Sequence, residues 1–322
     1  MRTAFVTGAT GLLGSNLVAQ LLQRGVEVKA LVRDVPRAQR LLPSHPRLKL
    51  VVGDMDVVAG FAPELAGCDV LFHCAAYFRD SFKGGEHWQK LRRINVDGTR
   101  DVVRAAYAAG VRRLLHVSSV GVLKAEGSAA APVGPRDRRA AEDTRNDYYR
   151  SKILADAVVK QELEAHPDLW AAFVMPGFMN GPGDAGPTSA AQSIIDFTGR
   201  KLPGILDAHF SYVDARDVAE VCIAAVERAP RGAELVAGGR RLNLADAFKL
   251  LEGITGVPAP KRRVSLALLW LVAVVNEAWA RLTGRPVLVG MSIYRMMRDD
   301  GPYAFYDSSL TEQMLGVRFR PV

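Results

Sequence analysis

Short, continuous runs of apolar residues alternate along the first half of the chain with longer segments in which apolar residues recur every three or four positions. The first run, 2–7, contains Ala4, Phe5 and Val6, and its length and composition predict a buried strand. The spacing of apolar residues that follows, through about Gln23, predicts a helix. Later apolar runs predict further strands over residues 26–32, 48–52, 69–73, 112–119 and 170–175.

Helical segments separate these strands, and the longest of them is predicted over 86–108. Regular alternation of strands and helices predicts an α/β fold, in which a parallel, doubly wound sheet of the Rossmann type is built with right-handed crossovers. Ligands bind such sheets beyond the carboxyl ends of the strands. The residues at those ends are therefore the candidates for function.

The alternation becomes irregular in the second half, where helices are predicted over 190–198, 216–227 and 244–255. We therefore expect a nucleotide-binding domain over 1–175 and a smaller, α-rich substrate lobe over 176–322, partly interwoven with the first domain. Residues 124–146 join the fifth strand to the next helix. This segment is expected to pass over the site as a mobile substrate loop.

Residues 264–282 are strongly apolar and include Trp270 and Trp279. The pattern favours a helix packed within the lobe, and the alternatives are a wall for a lipid-like or aromatic substrate and loose contact with a membrane. Its continuous apolar run, from Leu266 to Val275, is too short to span a bilayer. No integral membrane segment is therefore expected.

A glycine-rich turn stands between the first strand and the first helix. Gly8 allows a sharp turn, Gly11 lets a pyrophosphate approach the backbone, and Gly14 permits close packing of the helix. The N–H groups and the positive dipole end of that helix attract phosphates. The flanking strand and helix favour a nucleotide site over a structural turn. The predicted cofactor contacts are Gly8, Thr10, Gly11, Leu12, Leu13 and Gly14.

The second strand ends at Val32 and is followed by Arg33 and Asp34, with Arg37 close behind. A basic residue at this position suits a 2′-phosphate, whereas an acidic residue holds the ribose hydroxyls. We therefore expect NADP(H) to be favoured over NAD(H). NAD(H) is the alternative, because the carboxylate of Asp34 could hold the ribose hydroxyls. Further cofactor contacts are expected after the third and fourth strands, from Asp54, Met55, Cys74, Ala75 and Ala76.

The candidate catalytic residues follow the fifth strand. Ser118 and Ser119 close that strand, and Tyr148 and Lys152 share one face of the next helix. A lysine cation and an oxidised nicotinamide both favour the phenolate of a tyrosine. Tyr148 is therefore the predicted general acid/base, and Lys152 is its cationic partner and a ligand of the nicotinamide ribose. Ser119 is expected to orient the substrate oxygen, with Ser118 as the alternative.

Composition narrows the remaining function classes. The 322 residues carry a net charge of +8, and their basic residues are scattered, so a solvated basic surface is favoured over nucleic-acid binding. Three cysteines and six histidines show no disulfide or metal-ligand spacing, so no metal is expected and a cytoplasmic location is predicted. A leader peptide is not expected before a nucleotide turn at residue 8, because its removal would destroy the turn.

The motifs T-G-A-T-G-L-L-G, H-C-A-A, N-V-D-G-T, V-S-S and Y-Y-R-S-K resemble, in order and spacing, those of the extended short-chain dehydrogenases/reductases of the NAD(P)-dependent epimerase/dehydratase superfamily. The resemblance covers nearly the whole chain, with further matches from Pro176, Tyr212 and Tyr306. Within that superfamily, the chain is similar to the dihydroflavonol-reductase-like branch, which includes aldehyde and ketone reductases. The resemblance implies NADP(H)-linked carbonyl reduction, a homodimer as a common assembly, and cofactor contacts from Asn95 and Pro176.

Two departures from the sequence patterns of that family favour some of its activities over others. Val120 and Gly121 stand where sugar-nucleotide dehydratases carry acidic residues, and Met175 and Phe178 stand where sugar-nucleotide epimerases usually carry arginine and asparagine. A phenylalanine beside the nicotinamide favours an apolar substrate. The leading hypothesis is NADP(H)-dependent reduction of an apolar ketone or aldehyde. The alternatives are a sugar epimerase or 3β-hydroxysteroid-dehydrogenase-like enzyme, and a non-catalytic NADP(H) redox sensor.

Overall fold

The protein is described by a computed structural model that covers residues 1–78, 86–124, 126–186, 188–202, 204–283, 289–299 and 304–321. Its strands are β1 (Thr3–Thr7), β2 (Glu27–Val32), β3 (Leu48–Val52), β4 (Val70–His73), β5 (Arg113–Val117), β6 (Trp170–Pro176), β7 (Phe178–Asn180), β8 (His209–Asp214), β9 (Glu234–Ala237) and β10 (Arg240–Asn243).

Its helices are α1 (Leu12–Gln23), α2 (Val35–Leu41), α3 (Trp88–Leu91), α4 (Gly98–Ala108), α5 (Asp147–Ala165), α6 (Ser189–Thr198), α7 (Ala215–Arg228), α8 (Leu244–Thr255), α9 (Leu266–Thr283), α10 (Met291–Asp299) and α11 (Ser309–Leu315). The predicted helix over 86–108 begins at Trp88, and its middle, Arg92–Asp97, is π-helical.

Seven parallel strands form the large sheet, in the order β3-β2-β1-β4-β5-β6-β9. The order runs outward in both directions from β1 and β4, so a crevice opens at their carboxyl ends. This arrangement confirms the predicted doubly wound α/β fold of the Rossmann type.

Alternating side chains of the strands bury two separate cores, one on each face of the sheet. In β1, Ala4 and Val6 pack into a core that includes apolar residues of α1 and α7. Phe5 points the other way, into a core with residues of α4 and α5 such as Val103 and Val159. Because both faces are covered by helices, the strands are apolar throughout, as in other parallel sheets.

The second half of the chain contributes to both sheets. β9 joins the edge of the large sheet, whereas β7, β8 and β10 form a three-stranded sheet of their own. The predicted helix 244–255 is confirmed as α8: the Asn243 side chain caps it by accepting from the N–H of Ala245, and Gly256 ends it at φ 70°.

α9 corrects the expectation of a packed helix over 264–282. Its buried residues are Leu269, Ala273 and Ala280, whereas Trp270 is 47% exposed and Trp279 is 55% exposed. Only a narrow stripe of this helix therefore packs against the protein. Within the described ranges, no helix has the length and apolar character needed to cross a membrane.

Candidate active site

A cavity of about 760 Å³ lies over the carboxyl ends of the large sheet and extends to the three-stranded sheet. Nearly all the predicted site residues meet there. Those that line the cavity are Gly8, Thr10, Gly11, Leu12, Leu13, Gly14, Arg33, Asp54, Met55, Cys74, Ala75, Ala76, Ser119, Tyr148, Lys152 and Pro176.

The glycine turn at one end of this cavity has no room for side chains. Gly8 has φ +67°, and a Cβ there would lie 2.7 Å from the backbone nitrogen of Ala75. A Cβ on Gly14 would collide with the carbonyl oxygen of Gly8. The turn can therefore adopt this shape only with glycine at these positions.

The amino terminus of α1 is open toward the cavity. Gly11 is its N-cap, and within the described part of the chain no side chain caps the helix and no acidic residue stands in its first turn. The first N–H groups of a helix lack intrahelical partners and carry a partial positive charge. This end of the cavity therefore fits the pyrophosphate of a dinucleotide.

The residues after β2 shape the far end of the cavity. Arg33 is 75% exposed, and its Nη1 lies 3.8 Å from Oδ2 of Asp54. The Asp34 carboxylate accepts a hydrogen bond from the N–H of Arg37 at 2.9 Å and so caps α2. Arg33 and Arg37 both line the cavity. Asp34 lines the cavity as well, and its carboxylate caps α2. Two guanidinium groups and this helix-capping carboxylate therefore border the cavity here.

Tyr148 and Ser119 are brought together at the centre of the cavity, where a hydrogen bond joins their side chains. Burial raises the pKa of Tyr148, the negative charge of Asp156 raises it further, and the bond with Ser119 lowers it. The Ser119 oxygen also accepts from the N–H of Gly121 at 3.1 Å. Tyr148 is therefore a neutral phenol at neutral pH, and a neutral phenol can donate a proton.

Lys152 stands one helical turn after Tyr148 and is buried. Its Nζ donates a hydrogen bond to the carbonyl oxygen of Val117, at the end of β5, over 2.6 Å. Burial lowers the pKa of Lys152 to about 8, against the opposing effect of the Asp156 carboxylate. The ammonium is therefore charged at neutral pH, but it is more easily deprotonated than an exposed lysine.

A buried carboxylate behind these residues was missed at the sequence level. Asp156 accepts hydrogen bonds from the Ser118 hydroxyl at 2.7 Å and from the His116 ring at 3.1 Å, and it also accepts one from Arg138. Burial by itself raises the pKa of Asp156, but His116 and Arg138 outweigh it and hold the pKa at about 2. The spacing of Asp156 four residues after Lys152 was the available signal.

Asn95 is the one predicted cofactor contact that does not line the cavity. Its Oδ1 accepts from the N–H of Tyr77 at 2.7 Å, and its Nδ2 donates to the Ser151 hydroxyl at 3.0 Å. Asn95 lies in the π-helical segment, a local geometry that apolar periodicity does not signal. Its side chain connects the Tyr77 segment to α5.

The end of the cavity beside the three-stranded sheet, where a substrate is expected, is largely apolar and aromatic. Phe178 stacks on Phe210 of β8, with ring centroids 4.8 Å apart, and Met179 and Met296 border the same space. Phe178 was predicted there, whereas Phe210 and Met296 come from distant parts of the chain. This end of the cavity therefore favours apolar groups.

The segment 124–146 differs from the expected cover of the site. Its described residues do not line the large cavity. Instead, Val133 pairs with Tyr306 near the carboxyl terminus, and Arg138 forms an ion pair with Asp156. The segment is thus held to α5 by the ion pair between Arg138 and the buried Asp156.

Comparison with known proteins gives the chain a context. The model of a family described as "NAD dependent epimerase/dehydratase" matches residues 4–244. A putative dihydroflavonol 4-reductase from Synechocystis sp. is 32% identical over 97% of this chain and 89% of its own length. Sterol demethylase protein B from Methylococcus capsulatus is 31% identical over 87% of this chain and 82% of its own length.

One solved structure extends the comparison to three dimensions. The crystal structure of gox2253 is 30% identical to this chain, with a TM-score of 0.82. The superposition covers 100% of this chain and 94% of gox2253. The similarity therefore includes the second half of the chain as well as the large sheet.

Proposed function

The chain belongs to the NAD-dependent epimerase/dehydratase family of extended short-chain dehydrogenases/reductases, and on this premise we propose that it reduces an apolar ketone or aldehyde with NADP(H). One observation carries the proposal. The hydrogen-bonded Tyr148 and Ser119 stand in a single cavity between a glycine turn that fits a dinucleotide and an apolar wall.

The chain's own residues fit a pyridine dinucleotide at one end of the cavity. The N–H groups of the glycine turn and of α1 would hold the pyrophosphate, and Asp54 and Met55 would lie beside the adenosine. The exposed Arg33 guanidinium supports a preference for NADP(H), since it suits a 2′-phosphate, and Asp34 already caps α2.

When bound, the nicotinamide supplies hydride transfer to or from the substrate carbon. In reduction, the neutral Tyr148 phenol donates its proton to the carbonyl oxygen, and Ser119 holds that oxygen by a hydrogen bond. The Lys152 cation stabilises the phenolate that remains. These roles are supported by the positions of the three side chains in one cavity, and burial keeps the Tyr148 phenol protonated before the reaction.

The apolar end of the cavity supports a substrate with apolar bulk. The cavity wall there includes Phe178, Phe210 and Met296. Binding of an apolar group against this wall is favourable, because it removes apolar surface from water. The name of the sterol demethylase relative is consistent with a substrate of this class.

A panel of aliphatic, aromatic and polycyclic ketones and aldehydes, together with nucleotide sugars, tests the proposal. We expect loss of NADPH absorbance with the apolar carbonyl compounds. Conversion of a nucleotide sugar without net use of NADPH would instead assign epimerisation. Binding of NADPH with no turnover of any compound would contradict the reductase and favour the alternative of a redox sensor.

A further inference from the structure

A second cavity, of about 290 Å³, adjoins the substrate end of the large one, and Met296 of α10 lines both. The carboxylate of Asp143 is the one acidic group among the described residues that line it, and it accepts a hydrogen bond from the N–H of Ala140 at 3.0 Å. Like charges gathered around one cavity repel each other, and a bound anion relieves that repulsion. The basic side chains that line the cavity are Arg139, Arg145, Arg295 and Arg298.

Asn146 supplies a second, independent feature of this cavity. It is the N-cap of α5, and its Oδ1 accepts from the N–H groups of Tyr148 and Tyr149 at 3.0 and 3.2 Å. These bonds assign the other side of the amide to Nδ2. The residue is 6% exposed, and Nδ2 finds no hydrogen-bond partner in the described part of the chain. A buried donor without a partner destabilises the protein, and a ligand that accepted a hydrogen bond from it would remove that cost.

The cavity also lies at the positive end of α5, a helix of 19 residues. Arg295 reaches it from α10, with its Nη1 donating to the carbonyl oxygen of Arg145 at 3.3 Å. A guanidinium has five N–H donors, so this contact can fix the side chain while others reach an anion. The helix dipole and the guanidinium groups thus act on the same space, and the Asn146 amide borders it.

We propose that this cavity binds an anionic group of the substrate, a carboxylate or a phosphate. The apolar part and the carbonyl of the same molecule would lie in the large cavity, between Phe210 and Tyr148. The inference rests on the proposed function and narrows its substrate to an amphiphile. Met296 lines both cavities, so the two parts of such a molecule would lie on either side of it.

Calorimetry in saturating NADPH, with decanoate, decyl phosphate and methyl decanoate, tests the site without requiring turnover. We expect at least one of the two anions to bind about tenfold or more tightly than the ester, as charge-assisted bonds provide. The tighter of the two anions would assign the group as carboxylate or phosphate.

The variant Asn146→Asp sharpens the test. Aspartate caps a helix as well as asparagine does, so α5 is retained, but the added carboxylate would repel an anion. We expect Asn146→Asp and Arg295→Ala to lose the preference for the anions, and Arg295→Lys to keep part of it. Arg136→Ala is the matched control, because Arg136 is exposed in the same segment and lies outside the cavity.

The outcomes separate this inference from the proposed reaction. Equal affinity for the three probes, or an anion preference that survives Asn146→Asp, overturns the anion site. Selective anion binding without reduction of any carbonyl compound would keep the site and remove the reductase. Reduction of neutral carbonyl compounds without any preference for the anions would keep the reductase and remove the site.

The outward face of α9 carries a separate inference. Three exposed basic residues, Lys261, Arg262 and Arg263, precede the amino terminus of the helix. Cations at that end of a helix are repelled by the helix dipole. These charges therefore do not stabilise the helix, but they suit an anionic surface. The large apolar side chains exposed on α9 are Leu266, Leu268, Trp270, Leu271, Val272, Val274, Val275, Trp279 and Leu282.

The inner side of the same helix packs against residues that border the large cavity. Leu269 packs in a cluster with Met297 of α10 and Phe210, and Phe210 lines the large cavity. We propose that α9 lies flat on a membrane with anionic headgroups, its apolar side chains at the boundary between headgroups and acyl chains. An apolar substrate dissolved in that membrane would then be close to the cavity.

Flotation with vesicles tests this surface, using phosphatidylcholine alone and with phosphatidylglycerol. We expect binding to the anionic vesicles, lost in Trp270→Glu/Leu271→Glu and weakened about fivefold for each charge removed among Lys261, Arg262 and Arg263. Leu310→Glu, on the exposed face of α11, is the control. Failure of the protein to bind anionic vesicles, or its self-association through Trp270 instead, would overturn the proposal.

Discussion

The Ser118 hydroxyl donates a hydrogen bond to the buried carboxylate of Asp156 at 2.7 Å. The next residue, Ser119, instead hydrogen-bonds with the Tyr148 side chain in the cavity. Successive residues at the end of a strand point to opposite sides, so adjacent serines reach different partners. The geometry therefore favours Ser119 as the hydroxyl that meets substrate, and it gives Ser118 a positioning role.

The two serines should respond differently to substitution. Ser119→Ala is expected to lower kcat/KM about 10²-fold, because a donor to the substrate oxygen is lost. Ser118→Ala is expected to lower the free energy of unfolding by about 1–3 kcal/mol, since a buried acceptor loses its donor. Steady-state kinetics and urea unfolding of both variants measure these effects. The reverse pattern would assign the substrate contact to Ser118.

Tyr148→Phe should abolish proton donation and leave the cavity intact. We expect kcat to fall by about 10²–10⁴-fold, with NADPH binding retained as judged by the rise in Tm on adding NADPH. Tyr107→Phe is the control, because the Tyr107 hydroxyl bonds to Asp168 on the surface. Turnover of Tyr148→Phe equal to that of the control would rule out the proposed acid.

Coenzyme preference should depend on Arg33. Arg33→Ala is expected to weaken NADPH about tenfold or more, because a charge-assisted bond to the 2′-phosphate is lost, and to leave NADH nearly unchanged. Arg40→Ala, an exposed arginine of α2 that does not line the cavity, should alter neither. The Tm shifts with each coenzyme report the effect. Equal weakening of both coenzymes would contradict the preference for NADP(H).

Activity should decline at moderately alkaline pH. The pKa of Lys152 is about 8, so its cation is present below that pH and is lost above it, whereas burial keeps Tyr148 protonated. We expect kcat/KM for reduction to fall with an apparent pKa near that of Lys152. Lys152→Met should lack this titration and be slow at every pH. A wild-type profile that stays flat from about pH 7 to about pH 10 would contradict the role of Lys152.

Stability in acid should depend on Asp156. Its pKa in the fold is about 2, below the ordinary value of 3.8, so its contribution to stability is present above the ordinary value and is lost as the pH falls toward 2. That contribution is on the order of 2 kcal/mol. Asp156→Asn should lower the free energy of unfolding near neutrality and flatten its dependence on pH in acid. Parallel curves for the two proteins would contradict this assignment.

Local signals in the sequence were sufficient for six of the seven strands of the large sheet and for the glycine turn beside it, whereas β9 was not predicted. The apolar runs, the glycine turn and the Tyr148–Lys152 spacing are set by residues close in the chain, and each depends on strand or helix geometry that neighbours dictate. The carboxyl ends of parallel strands meet at one edge, so these local features predicted a common cavity.

What required the tertiary structure was contact between distant segments. Asp156 bonds to Arg138 and His116, and the wall of the cavity joins Phe178 to Phe210. Asn95 bonds to the Tyr77 segment and to Ser151 of α5 instead of lining the cavity. The exposure of α9 was likewise undetermined, since an apolar helix reads the same whether it is covered or not. Side-chain partners and burial depend on what packs from elsewhere in the chain, and one-dimensional periodicity does not contain that information.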